Sequence, residues 1–364
     1  MLKSSSSRSK LTNPAGVRTL NSSHKLALVL TGVLLAAHQA TAFSDTDANT
    51  LMNALNSGYY TTSGGAHFNN TKSGGDSGFW QQAEMIEMVI DAAARNSSYT
   101  SQVTALINGF DSIRGTSWSG NTFNDDIMWA CIAHLRAYNL TGNTAFRTTA
   151  KANFDMAYAR SYDTVNGGFF WTSANNSKNS AVNGPAAIVA YRLYQTLGDS
   201  SYLTKAQNIT TWQRANLFNE TNGQVYDSTT SQTPTTYNQG TFINACYNIG
   251  WTGGATKACN YLMTMGGTII NGYHIMSQYA INENNSGFNG IACRWASSYM
   301  KSMGMQSTYL GWLQTNAQQA WTVRRTSDNL SWDLWGSQTT NGVALYSWTC
   351  SSSVTAVQVV PPTQ

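Results

Sequence analysis

The chain has 364 residues, enough for a large core in one or two domains. Its 21 basic and 17 acidic residues make up only 10% of it, against roughly 25% in an average soluble protein. The formal net charge is +4. So sparse a charge excludes a nucleic-acid binder, and 12% aromatic content, with 12 Trp and 18 Tyr, excludes a disordered chain. What remains is rich in Asn, Ser, Thr and Gly. It suits a neutral polar ligand, and sugar is the first candidate: aromatic faces stack on pyranose rings, and amides bond hydroxyls without charge.

In chain order, a basic stretch leads into twelve largely apolar residues, 26–37 (LALVLTGVLLAA). A membrane span needs ~20. Small residues follow at Ala40-Thr41-Ala42, so residues 1–42 read as a signal peptide cleaved after Ala42, with a signal anchor as the rival. No stable membrane span is expected after processing. The expected location is extracellular, free or on the cell wall. Eight glycosylation triplets agree with that route, at Asn69, Asn96, Asn139, Asn175, Asn208, Asn219, Asn284 and Asn329. All five cysteines lie past the cleavage site, and none has zinc spacing.

The rest reads as helices. Periodicity and break residues place them at 79–96, 125–140, 180–197, 201–217, 237–250, 255–265, 286–303 and 306–322. Breaks at Gly142, Gly198 and Gly253-Gly254 suggest helical hairpins. Alternate helices begin near Trp80, Asp125, Ala181, Gln239, Phe288 and Thr340, which gives about six hairpins. An open solenoid and a closed ring both fit this spacing. The expected catalytic domain covers residues 43–350, with 351–364 as a short tail. Cys246 and Cys259 flank Gly253-Gly254 at similar distances, so a disulfide between them is expected.

Asp125-Asp126 is the sharpest feature, two adjacent acids at a helix start in a chain that has few. The plain reading is helix-end charge worth ~0.3–1 kcal/mol. The chemical reading is a glycosidase pair, in which one carboxylate attacks the anomeric carbon and the other protonates the departing oxygen. Retaining enzymes hold such groups ~5–5.5 Å apart, which neighbouring residues can achieve. Mutual repulsion would then separate their pKa values. The lone His67, His134 and His274 read as packing or capping residues.

Several segments in order resemble glycoside hydrolase family 76, the α-1,6-mannanase family with fungal cell-wall relatives. They are Asn124-Asp125-Asp126-Ile127-Met128-Trp129, the loop Gly167-Gly168-Phe169-Phe170-Trp171, and the helix start from Lys178 to Gly184. Val225-Tyr226-Asp227, Tyr237-Asn238-Gln239-Gly240 and Gly287-Phe288-Asn289-Gly290-Ile291 with Arg294-Trp295 continue the match. The resemblance implies an all-α (α/α)6 barrel and retaining, endo-acting cleavage of α-1,6-mannan, with Asp125 as nucleophile and Asp126 as acid/base. Departures from the family pattern are Asn124 for a Tyr, Ala130 for a Trp and Asn289 for a Lys.

The expected substrate-binding residues are Phe123, Asn124, Trp129, Trp171, Asn183, Asp227, Tyr237, Gln239 and Phe288. The expected partner is α-mannan or another mannose-containing glycan, bound by a monomer without a cofactor or metal. A cell-wall transglycosylase using the same intermediate, and a non-catalytic carbohydrate-binding wall protein, are the alternatives.

Overall fold

Ser44 and Asp47 close a reciprocal cap that starts the first helix. The Ser44 hydroxyl accepts from the Asp47 N–H, and the Asp47 carboxylate accepts from the Ser44 N–H at 2.8 Å. The computed structural model describes residues 43–362, so the expected signal peptide lies outside the described residues. After α1 (Asp45–Tyr59) come three short antiparallel strands, β1 (Tyr60–Thr61), β2 (His67–Thr71) and β3 (Gly74–Asp76). Helices dominate from there: α2 (Phe79–Arg95), α3 (Thr100–Arg114), α4 (Asn124–Thr141), α5 (Thr144–Ser161), α6 (Ser180–Leu197) and α7 (Ser200–Leu217). Next are α8 (Thr236–Asn248), α9 (Thr252–Leu262), the hairpin β4 (Ile269–Ile270) and β5 (Tyr273–His274), α10 (Phe288–Met303), α11 (Gln306–Thr322) and α12 (Ser347–Val359). None of the described helices is long and apolar enough to cross a membrane.

The even-numbered helices form a closed inner ring. α2 packs on α4, α4 on α6, α6 on α8, α8 on α10, α10 on α12, and α12 back on α2. α3, α5, α7, α9 and α11 pack outside the inner helices that precede them. The sixth pair joins the two ends of the described chain, with α1 lying on α12. The expected (α/α)6 barrel is therefore present.

Inner helices are covered on several sides, so they lack a polar stripe. All 13 residues of α12 are buried. They pack closely through glycine. A Cβ on Gly184, Gly240 or Gly290 would come within 2.9 Å of Thr241, Ala292 or Ser352 on the next inner helix.

Three expectations fail. Residues 351–359 are not tail but the greater part of α12, whose uncharged Ser/Val/Thr run is what an all-buried helix requires. That helix begins at Ser347, seven residues after the expected start near Thr340. Gly253-Gly254 lies inside α9, and the turn falls instead at Ile249–Trp251, where Gly250 has φ +82°.

The shifted turn also explains the missing disulfide. Cys246 lies two residues from the end of α8, whereas Cys259 lies seven residues into α9. At 1.5 Å rise per residue their levels differ by about 7 Å. Both are buried free thiols, as are Cys131, Cys293 and Cys350.

Candidate active site

The opening of α4 is fixed by the loop after α5. The Asn124 N–H donates to the Trp171 carbonyl at 2.8 Å, and the Asn124 amide donates to the Phe170 carbonyl at 2.9 Å. Arg160 holds the other side of that amide, donating to Oδ1 at 2.6 Å. Within the loop, Gly168 has φ +78°, and a Cβ there would strike Trp212. This packing sets Trp171 over the first turn of α4, which carries Asp125 and Asp126.

The two aspartates lie in a cleft of about 320 Å³ at the N-terminal ends of the inner helices. Phe123 and Trp171 form one wall, their rings 5.4 Å apart. Trp80 and Phe288 stack nearly parallel at 6.1 Å on another, and Tyr237 lies 4.5 Å from Phe288 and 6.3 Å from Trp129. Asn284 and Asn285 add amides. A larger cavity of about 380 Å³ beside β2 and α3 holds His67, Asp76 and Arg114 but neither aspartate of the pair.

Burial raises both carboxyls. Asp125 is pushed up to about 7 by burial and then by the neighbouring Asp126 charge. Asp126 is raised by burial to about 6 and restrained by the Asn121 amide, which donates to Oδ2 at 3.1 Å, and by the Arg114 guanidinium. The α4 N-terminus favours negative charge at both. Such a pair can hold one proton while the other member is ionised.

Of the expected substrate-binding residues, Phe123, Trp129, Trp171, Tyr237 and Phe288 line the cleft. Asn124, Asn183 and Gln239 do not. Each is fully buried, Asn183 and Gln239 bonded to backbone and Asn124 shared between backbone and Arg160. The Asn183 amide accepts from the Phe169 N–H at 2.8 Å and donates to the Phe169 carbonyl at 3.1 Å. Gln239 accepts from the Val225 N–H at 2.9 Å and donates to the Gly223 and Ala258 carbonyls. Gln82 grips Phe68 in the same two-handed way. Gln82, Asn183 and Gln239 are each the fourth residue of an inner helix, so the amide pins the chain entering that helix.

Asp227 is outside the cleft lining and accepts from Asn238 at 3.2 Å. His134 is packed, bonded to the Ala130 carbonyl and to Asp111 at 3.0 Å. Trp80, Asn284 and Asn285 are cleft residues that the sequence reading did not select. The signal for Trp80 was available: it occupies the first turn of an inner helix, as Tyr237 and Phe288 do.

The family model for glycosyl hydrolase family 76 matches residues 44–361. The chain belongs to this family. Family 76 structures share its fold. An α-1,6-mannanase from Salegentibacter sp. HEL1_6 aligns at TM-score 0.76 and 24% identity, over 86% of this chain and 98% of its own. An inactive double-aspartate variant of that enzyme has been solved with α-1,6-mannotetrose, at the same TM-score and identity. Dfg5 from Chaetomium thermophilum, in complex with glucosamine, aligns at TM-score 0.67 and 16% identity, over 87% of this chain and 89% of its own. No curated protein matches the chain in sequence.

Proposed function

We propose that this family 76 glycoside hydrolase cleaves α-1,6-linked mannan with retention, through a covalent mannosyl-enzyme. The observation that carries the reading is two adjacent, half-buried carboxyls in an aromatic cleft, both raised in pKa. The inactive Salegentibacter variant, changed at two consecutive aspartates and bound to an α-1,6-mannooligosaccharide, supports both the pair and the ligand class.

Asp125 attacks the anomeric carbon and forms a β-mannosyl ester. Asp126 gives its proton to the departing glycosidic oxygen as that bond breaks. Asp126 then takes a proton from water, which attacks the same carbon, breaks the ester and releases an α-configured product. Trp80, Phe123, Trp171 and Phe288 supply faces for sugar rings, and Asn284 and Asn285 supply amides for hydroxyls.

The same ester can pass to a sugar hydroxyl instead of water. The paired aromatic walls favour this second reading, because they offer ring platforms on both sides of the acids. We place the enzyme on the secretory route, on the strength of the apolar segment and Ala40-Thr41-Ala42.

NMR of the first product from unbranched α-1,6-mannan tests the mechanism. The α-anomer is expected first, and early β-anomer overturns it. Azide should rescue Asp126→Ala as an α-mannosyl azide and leave Asp125→Ala inactive. Products longer than the substrate would identify transglycosylation. An unprocessed N-terminus in a membrane fraction would overturn the secretory proposal.

A further inference from the structure

The barrel has a second charged cavity, lined from the C-terminal halves of inner helices and so at the end opposite the cleft. It measures about 490 Å³. Five cations line it, Arg95, Arg136, Arg192, Arg294 and Lys301, with Asp91 as the one acid on its wall.

Four of the cations are accounted for. Arg136 donates to Glu87 at 2.8 Å and also pairs with Asp91. Arg294 reaches Glu84 at 2.7 Å and Asp91 at 2.6 Å. Arg95 donates to the Val360 carbonyl at 2.9 Å and pairs with Asp45, and Lys301 donates to the Val359 carbonyl at 2.7 Å. The last two bonds, with the helix dipoles that converge here, explain why cations gather at this end.

Arg192 is not explained this way. It has no ion pair among the described residues, and its buried Nε has no hydrogen-bond partner. Its guanidinium carbon lies 5.7 Å from the centre of the Trp295 ring, whose other cation, Arg136, is at 6.0 Å. Burial lowers its pKa to about 10, and repulsion by Arg136 and Arg294 adds to this against the pull of Glu87 and Asp91. Glu84 keeps one buried oxygen unpartnered, and burial beside Glu87 raises its pKa against the pull of Arg294. Arg192 is thus half-buried in a cavity lined by five cations, with no carboxylate of its own, and an anion would complete it.

We propose that this cavity binds a phosphate-class dianion, with Arg192 as its principal ligand. A guanidinium fork matches the oxygens of a phosphoryl group better than a lone carboxylate needs. The volume exceeds ten waters at about 30 Å³ each, which leaves room for phosphate free or esterified to a sugar. The site is independent of the carbohydrate chemistry at the other end.

Calorimetric titration of the whole protein with inorganic phosphate, with mannose 6-phosphate and with mannose tests it. Saturable binding of phosphate is expected, weakened about tenfold or more in Arg192→Gln and falling as NaCl is raised. Mannose should not bind there. Tighter binding of mannose 6-phosphate would identify a phosphorylated glycan as the source, and equal binding would identify free phosphate. Absence of saturable binding, or equal binding by Arg192→Gln, overturns the proposal. If that variant fails to fold, the wild type decides alone. Phosphate should leave mannan cleavage unaffected, and inhibition competitive with mannan would move the anion to the cleft and overturn the proposal.

Discussion

Trp171 Nε1 and Asp125 Oδ1 are both buried without a hydrogen-bond partner, and the Trp171 indole lowers the pKa of the Asp125 carboxyl. The indole N–H favours the ionised carboxylate, yet burial and Asp126 leave Asp125 the higher of the pair. Burial and the Asp126 charge thus raise Asp125, although the proposed nucleophile must be ionised to attack.

Replacing Trp171 by Phe keeps the ring and removes the donor. The Asp125 carboxyl then rises further, so the alkaline limb of kcat/KM should move up while its plateau falls about tenfold, the worth of one hydrogen bond to a charged group. A pH series on the variant checks both.

For the unaltered protein, kcat/KM should follow a narrow bell with apparent limbs at about 6 and about 7. Asn121→Ala removes the amide that favours ionised Asp126, so the acid limb should move up and the alkaline limb stay in place. The two variants thus displace opposite limbs.

Asn183→Leu should destabilise the protein by about 3 kcal/mol, because it strands the buried N–H and carbonyl of Phe169. Its KM per folded molecule should not change. A denaturant melt with kinetics on the folded fraction separates this from a role in sugar binding, for which KM would rise.

Asp333 is fully buried with neither carboxyl oxygen partnered, and burial raises it to about 8 from an ordinary value of 3.8. A carboxyl raised by folding binds its proton more tightly in the native state. Its contribution to stability is present at low pH and is lost as pH rises between those values. Each pH unit in that window costs about 1.4 kcal/mol. Asp333→Asn should therefore melt higher than wild type at pH 8 and lose that advantage near pH 4.

The ring's inner helices were legible because each opens after a loop of Gly, Asn and aromatic residues, and five of the six expected starts fall within three residues of those observed. α12 was obscure because a helix buried on every side has no amphipathic stripe, and α1 lay beyond the predicted helices. The place of Asp125 and Asp126 at a helix start and the aromatic walls around them were readable from residue type and position. The amides were not. Asn183 and Gln239 sit in loop-to-helix junctions where a side chain bonding sugar and one bonding backbone look alike. What distinguishes them is the direction of one amide, set by packing against the preceding loop. Cys246 and Cys259 failed for a related reason, since moving one turn by three residues changed which side chains lie level.

The pairing of α1 with α12 has a consequence for how the molecule is made. Gln358 donates to the Ala48 carbonyl across 310 residues of sequence, and the Tyr59 hydroxyl donates to the Leu345 carbonyl across 286. During synthesis the first five hairpins can assemble only as an open arc, with the flanks of α1 and α2 that α12 will cover still exposed to water. Closure waits for the C-terminal helix to leave the ribosome. The last step of folding is therefore one long-range docking event, and it is the interval in which a nascent chain most needs protection from aggregation.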